Sequence, residues 1–301
     1  MDLREAVDEW LRTKEIENVS QKTLSIYQNM TQELVDHVGN IPLKDFREKV
    51  VLDFLSYQRN REGRFGKLSD ATLHKYYSVI RTFSIWLDDM EYVKRAPTDR
   101  VRAPRIESKL PECLSDDEVN ELFGYLRARC SERVQLIFAF FLDTGARLEE
   151  VVKLDVDHVH LEDGWVKVYG KGRRERILPL GKQLKKDLTD YLTYIRPRLA
   201  QEDEQALFVT KWGERYKIEG LATLVKTKLK EIGVKGRYGP HKLRHTFATN
   251  YLRNQGGIEQ LRIQMGHRDI KTTQRYLALV PDDLKRSHEV ASPYDRVKER
   301  Q

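Results

Sequence analysis

The chain has 301 residues, 40% hydrophobic and 34% charged, and no apolar run approaches the ~20 residues of a membrane span, so it reads as globular and long enough for two domains. Its only cysteines, Cys113 and Cys130, argue against a disulfide framework or a cysteine-rich zinc site and fit a reducing cytoplasm. A net charge of +7 favours a polyanionic partner, nucleic acid first, although an ordinary basic protein carries the same excess.

The opening Met1-Asp2-Leu3-Arg4-Glu5-Ala6 lacks the basic-then-apolar layout of a signal peptide. Leu3, Val7, Trp10 and Leu11 then repeat at helical spacing. Ser20 is a candidate cap for a second helix carrying Leu24, Ile26, Tyr27, Met30, Leu34 and Val38, which Gly39 ends. A third helix holds Val50, Val51, Phe54, Leu55 and Tyr57, and Gly63-Arg64-Phe65-Gly66 breaks the pattern. Ser69 caps a fourth, with Leu73, Tyr76, Tyr77, Ile80, Phe83 and Leu87 on one broad face. Residues 1–95 are therefore expected to form a compact helical bundle. A basic linker is expected over 96–111: from Lys94 to Lys109 the chain carries Lys94, Arg95, Arg100, Arg102, Arg105 and Lys109 against Asp99 and Glu107, with Pro97 and Pro104 opposing regular helix. This stretch is either a strap along a nucleic-acid backbone or a solvated connection.

A second domain is expected over 112–301. Leu114-Ser115-Asp116-Asp117-Glu118 reads as a helix start with acids in its first turn. A strongly apolar helix follows through Val134, Leu136, Ile137, Phe138, Phe140, Phe141 and Leu142. Residues 165–169 and 176–180 alternate like strands, joined at Gly170-Lys171-Gly172 as a hairpin, and Leu207-Phe208-Val209 suggests a further short strand. Helices resume after Gly220 and run to Tyr276 and beyond, leaving a C-terminal tail through Leu284, Lys285, Val290 and Tyr294. The fold class is mainly α, with a small antiparallel sheet in the C-terminal domain. The sequence contains neither an internal repeat nor a low-complexity tract.

The chemistry concentrates in His241-Lys242-Leu243-Arg244-His245, Gly266-His267, Tyr276 and an upstream Thr144-Gly145-Ala146-Arg147-Leu148-Glu149-Glu150. Arginine grips phosphate through a planar, permanently charged fork. Histidine moves protons near neutral pH, and tyrosine serves as a covalent nucleophile. On a helix begun at Pro240, His241 and Arg244 share a face and can address one phosphate, with His245 nearby. Gly266 is expected to end a helix and Asp269 to cap the next, which puts Tyr276 about two turns in. Alone, each signal has a plain structural reading. The His–Arg box can be a surface cluster, Tyr276 a core aromatic beside Leu277 and Leu279, Glu150 a holder of Arg147 or a surface acid, and Lys171 a solvated turn residue.

In this order and spacing the motifs resemble those of the tyrosine recombinases, the phage-integrase family. The likeness rests on Ala146-Arg147-Leu148-Glu149-Glu150-Val151, on Gly170-Lys171-Gly172-Arg173-Arg174-Glu175-Arg176, on His241-Lys242-Leu243-Arg244-His245-Thr246-Phe247-Ala248-Thr249, and on Met265-Gly266-His267 before Tyr276. Gln264-Met265 departs from the family's usual pair of leucines, and Glu149 from its small polar residue; neither touches a catalytic position. The resemblance implies a helical core-binding domain followed by a catalytic domain, of the simple Xer-like or transposon-encoded kind. It implies that Tyr276 attacks the scissile phosphate, giving a 3′-phosphotyrosyl link and a free 5′-hydroxyl. Arg147 and Arg244 would clamp the non-bridging oxygens, His267 would add a hydrogen bond, His241 would act as base towards Tyr276, and Lys171 would protonate the leaving oxygen. Glu150 would support Arg147. Neither metal nor other cofactor is called for, and rejoining needs no ATP. The partners implied are double-stranded DNA with an inverted-repeat core site, three further copies of the chain in a homotetramer on two duplexes, and accessory proteins. The location implied is cytoplasmic and nucleoid-associated. Lys75, Tyr76 and Arg81 on the fourth helix, Arg100, Arg102 and Arg105 in the linker, and Arg173 and Arg174 beside the hairpin are the candidates for DNA contact.

Three other readings compete. His158-Val159-His160 fits the His-hydrophobic-His pattern of metal-dependent nickases, in which two rings from one strand face one metal; it leaves Arg147, Arg244 and the His241 box unexplained. A regulator on the same fold would share charge and bundle but has no need of the catalytic set. A type IB topoisomerase would share the phosphate chemistry, whereas the small helical first domain favours site-specific recombination.

Overall fold

The computed structural model describes residues 1–63, 66–106, 110–170, 175–236 and 238–277. The chain divides into two compact units, Met1–Lys109 and Leu110–Gln301.

In the first unit, α1 (Leu3–Ile16) starts at a capping box in which Asp2 and Glu5 satisfy each other's backbone N–H groups. α2 (Gln21–Val38) is capped by Ser20 and ends at Gly39, whose φ of 81° suits a residue without Cβ. α3 (Glu48–Asn60) leads into a minimal antiparallel pair, β1 (Glu62–Gly63) with β2 (Gly66–Lys67), and Ser69 caps α4 (Asp70–Asp89). Trp10, Leu34, Phe54, Ile80, Phe83 and Leu87 bury completely at the centre, with the Trp10 ring stacked on Tyr27 at 4.9 Å.

Two expectations for this unit change. Tyr76, taken as a DNA-facing residue, is only 5% exposed, and its hydroxyl donates to the Glu33 carboxylate at 2.9 Å. The same carboxylate receives Gln58 and pairs with Arg61, so Tyr76 is the apolar body and polar tip of an internal knot, and its pKa is pushed up to about 12 by burial and then by Glu33. Lys75 and Arg81 point outward and stay exposed. Beyond α4 the chain folds back: Ala96, Pro97, Thr98 and Val101 are buried, and Tyr77 donates its hydroxyl to the Val101 carbonyl at 3.0 Å. The start of the stretch read as linker thus packs within this unit, while Arg100, Arg102 and Arg105 remain exposed.

The second unit opens with α5 (Asp116–Arg129), begun by a Ser115/Glu118 capping box, and α6 (Glu132–Thr144). Ile137, Phe138, Phe140 and Phe141 of α6 are fully buried, which makes this apolar helix the spine of the unit. α7 (Leu148–Val152) follows, then a three-stranded antiparallel sheet of β3 (Val159–His160), β4 (Trp165–Tyr169) and β5 (Glu175–Pro179) in that order. Register pairs Val166 with Leu178 and Val168 with Arg176, so Val166, Val168 and Leu178 share the buried face and Arg176 stands beside them. α8 (Lys182–Asp190), α9 (Ile218–Glu231), α10 (Pro240–Arg253), α11 (Ile258–Met265) and the one-turn α12 (Lys271–Gln274) follow among the described residues, with α10 packed on α6.

The strand expected at Leu207-Phe208-Val209 does not form. Isolated bridges stand in its place, Val209 with Arg215 and, just before the segment, Asp155 with Ala206. All three residues are buried, and side chains serve two of their carbonyls: Tyr191 donates to Leu207 and Arg133 to Val209. With donors coming from side chains, no second strand is required.

Candidate active site

Two helix ends create the site. α6 stops at Gly145, whose φ is 62°, and α11 stops at Gly266, whose φ is 63°. Helix C-termini leave carbonyls without intrahelical donors and carry the negative end of the helix dipole. Arginines occupy both ends. Arg244, from the buried side of α10 and 5% exposed, donates one NH to Gly145 O and another to Met265 O. Arg147, just past Gly145, donates to Gly266 O at 3.1 Å. The two guanidiniums therefore hang on the consecutive carbonyls of Met265 and Gly266.

Glu150, 3% exposed, fixes Arg147 from below. Its carboxylate accepts the Arg147 backbone N–H at 2.7 Å and the Arg147 guanidinium at 3.0 Å. Arg176 of β5 adds a two-pronged contact to the same carboxylate, NH2 at 2.8 Å with NH1 beside it, and turns its Nε to Gln264 O at 2.8 Å. Burial alone would raise the Glu150 pKa; the Arg176 hydrogen bonds and charge, followed by Arg147, overturn that and hold it below the ordinary carboxylate value. Burial, and then Arg147, push Arg244 down to about 9, which still leaves it cationic at neutral pH.

His267 follows the Gly266 turn. Its Nε2 lies 3.4 Å from Arg244 and its Nδ1 2.9 Å from the Thr273 hydroxyl. Desolvation, then Arg244, Arg147 and Arg176, push this ring down to about 4, so it is neutral. A guanidinium only donates, so Nε2 is the accepting nitrogen in this arrangement, and the Thr273 hydroxyl can serve either tautomer when an anion replaces the guanidinium at Nε2. His241 sits in the first turn of α10, its pKa lowered by desolvation and then by Arg244 and Arg147.

Tyr276 departs from expectation in two ways. α12 ends at Gln274, so Tyr276 lies in the turn after a single-turn helix rather than two turns into a longer one; its N–H closes on Thr273 O at 3.0 Å. It is 2% exposed, packed with Phe247, Ala248, Leu252, Leu261 and Met265. Its hydroxyl lies 2.8 Å from Nδ1 of His245, not His241, so the assignment of His241 as base towards Tyr276 loses its contact. The two histidines are one helical turn apart, and the helix turns only the second towards the phenol. Burial raises the phenol's pKa, against the pull of Arg244 and Arg275.

Arg147, Glu150, His241, Arg244, His267 and Tyr276 thus gather around one cluster of guanidiniums. Lys171, Arg173 and Arg174 lie outside the described residues, between the ends of β4 and β5 where Tyr169 pairs with Glu175. Residue-by-residue reading named Arg176 and His245 but gave neither a role. For Arg176 the signal was an arginine at an inward register position of a strand; for His245 no sequence signal separates it from His241. His158 and His160, the metal-nickase pair, go separate ways: His158 Nδ1 accepts from Asp155 N–H at 3.1 Å, and His160 stacks on Trp165 at 3.7 Å. Asp155, Asp157 and His158 do offer ligand atoms within 4.8 Å of one another, but Asp155 is already paired with Arg215.

Residues 112–282 match the sequence model of the phage integrase family. The tyrosine recombinase XerD of Oceanobacillus iheyensis is 31% identical over 299 residues, covering 97% of this chain and 99% of its own. Among solved structures, the Tn1549 transposon integrase in complex with a circular-intermediate DNA matches with a TM-score of 0.76 at 16% identity, covering 92% of this chain and 95% of that one. A lambda integrase tetramer bound to a Holliday junction gives 0.72 at 16% identity, covering 89% and 78%. By a family match across more than half its length and a relative that it parallels from end to end, the chain belongs to the phage integrase family.

Proposed function

We propose that the chain is a site-specific DNA recombinase that cuts and rejoins strands through a 3′-phosphotyrosyl intermediate on Tyr276. The observation that carries this reading is the pair of guanidiniums, Arg147 and Arg244, held on neighbouring carbonyls, with Arg244 in electrostatic reach of a buried phenol. A phosphodiester seated there meets donors on both non-bridging oxygens, where negative charge grows as the phosphorus becomes pentacovalent. His267 and His241, beside Arg244, add hydrogen bonds to the same group. Lys171 supplies the proton for the departing 5′-oxygen. The bond energy is kept in the phosphotyrosyl link, so the free 5′-hydroxyl of a second strand restores the phosphodiester without ATP.

The substrate is double-stranded DNA, to which the +7 chain is drawn. The working form is a homotetramer on two inverted-repeat sites passing through a four-way junction, with accessory proteins to order the sites. That reading is supported by the likeness to integrases seen on DNA and on a Holliday junction. The location is the cytoplasm, on the nucleoid; no helix among the described residues is long and apolar enough to cross a membrane. Arg100, Arg102, Arg105, Lys75 and Arg81 are exposed cations suited to phosphate contact, and Arg173 and Arg174 belong to the same class by sequence. Tyr276→Phe is expected to abolish covalent protein–DNA adducts while leaving binding nearly intact; adducts that persist in this variant overturn the assignment.

A further inference from the structure

Among the described residues, the phenol of Tyr276 has one hydrogen-bond partner, Nδ1 of His245 at 2.8 Å, with the two rings 5.7 Å apart between centroids. His245 and Arg244 are adjacent on α10, which packs on α6 and buries Leu243, Thr246 and Phe247. One residue of this helix addresses the anion and the next addresses the nucleophile, so their spacing is set by the backbone. His241, one turn earlier, is left on the Arg244 and Arg147 side.

We propose that His245, through Nδ1, is the general base that takes the proton of Tyr276 during strand cleavage. The inference rests on Tyr276 being the nucleophile. The Oη–H bond breaks and an Nδ1–H bond forms; Oη bonds to phosphorus; the P–O5′ bond breaks and its electron pair leaves on the 5′-oxygen, which takes a proton from Lys171. In the return step the 5′-hydroxyl gives its proton back to the now neutral Lys171 as its oxygen bonds to phosphorus, the P–Oη bond breaks, and the departing phenolate recovers its proton from His245.

The electrostatics fit a base rather than an ion-pair partner. Desolvation, followed by Arg275, His241 and Arg244, pushes His245 down to about 4, so the ring is neutral and Nδ1 has a lone pair to offer when Nε2 carries the ring hydrogen. The phenol is raised above its usual value, so it is protonated until it reacts. Transfer in the resting protein is strongly uphill and becomes favourable only as Oη bonds to phosphorus, when its proton turns acidic. A bound phosphate also offsets the Arg244 charge that now depresses the ring. This keeps the nucleophile silent until DNA is in place.

The test uses the full chain and a nicked suicide duplex carrying the site that the wild-type protein selects from a randomised inverted-repeat pool. His245→Ala is expected to lower the cleavage rate by ~10²–10⁴-fold with DNA binding retained, and added imidazole is expected to restore part of the loss. Tyr276→Phe makes no adduct with or without imidazole; if it does, the nucleophile reading itself fails, independently of His245. To separate proton transfer from packing, a duplex ending in a 3′-p-nitrophenyl phosphate is ligated to a 5′-hydroxyl strand by Tyr276→Phe and by Tyr276→Phe/His245→Gln. The nitrophenolate leaves without a proton, so the histidine change costs this ligation far less than His245→Gln costs cleavage. Equal losses in the two reactions, absence of imidazole rescue, or cleavage by His245→Ala at the wild-type rate each overturn the proposal.

Discussion

Glu150→Gln is the sharpest probe of how the site is held. The substitution keeps the shape of a side chain that is 3% exposed but removes the charge answered by two guanidiniums. Of the four donors on the carboxylate, those aimed at Oε2 are the Arg147 backbone N–H at 2.7 Å and Arg176 NH2 at 2.8 Å; those aimed at Oε1 are Arg147 NH1 at 3.0 Å and Arg176 NH1. A glutamine presents an NH₂ to one of these pairs, setting donor against donor. Removing one partner of a buried ion pair costs about 3–5 kcal/mol. For a domain of 150–250 residues that is a fall in melting temperature of roughly 6–20 °C. The assay is scanning calorimetry of the full chain, following the transition of the Leu110–Gln301 unit. A double-mutant cycle with Arg176→Met isolates the pair, with a coupling of about 1.5–3 kcal/mol expected for charge-assisted hydrogen bonds. Arg147, released from its brace, should also cleave DNA poorly at temperatures where the variant is still folded. A melt within about 2 °C of wild type, or strictly additive losses in the cycle, refutes the idea that Glu150 braces the site.

Gly145→Ala should be far more damaging than Gly39→Ala, although both residues have positive φ, because a Cβ on Gly145 would lie 2.1 Å from the Phe247 ring and one on Gly39 meets nothing within 4 Å; comparative melting decides this. The calorimetric melting temperature should decline as pH drops below about 6.5. His245 and His267 are pushed down to about 4 from 6.5, so the unfolded chain binds more protons between those values, and the stability they contribute is complete above 6.5 and lost as pH approaches 4. His267→Gln should flatten that decline, and an unchanged slope counts against a neutral His267. Lys171→Ala should lose cleavage on ordinary DNA and recover it on a 5′-bridging phosphorothiolate, whose leaving group needs no proton; failure of recovery with binding preserved argues against Lys171 as the acid.

Much of the helical framework was legible because it is written at short range. Ser20, Ser69 and Ser115 cap the helices they precede, and the 3.6-residue apolar rhythm of α1 to α4 and α6 is uninterrupted. The misreadings come from contacts between distant residues. Tyr76 looked like a groove-facing aromatic because its partner Glu33 lies 43 residues away on α2. Three buried residues at 207–209 looked like a strand because the side chains that serve two of their carbonyls, Arg133 and Tyr191, belong to other elements. In the site, the Arg–His–Tyr motifs named the participants but not the pairings. Arg147 reaches Gly266 across 119 residues, Arg244 reaches Gly145 across 99, and Arg176 reaches Glu150 across 26. Helical spacing puts His241, Arg244 and His245 on neighbouring faces, and only the position of Tyr276 after its short helix decides which ring meets the phenol.

The division of labour among the three arginines follows from what each is bonded to. Arg176 spends its charge on a carboxylate, Glu150, and acts as a brace. Arg244 is held by the Gly145 and Met265 carbonyls, and Arg147 by the Gly266 carbonyl together with a share of Glu150. A carbonyl dipole orients a guanidinium without cancelling its charge, and the negative ends of α6 and α11 make those dipoles stronger than isolated peptide groups. Three guanidiniums against one carboxylate leave the pocket with a formal excess of two positive charges. A phosphodiester brings one negative charge and gains more as the phenol oxygen bonds to it, so the match improves along the reaction coordinate. A second carboxylate in place of a carbonyl would have stabilised the empty protein and removed the differential attraction on which catalysis depends.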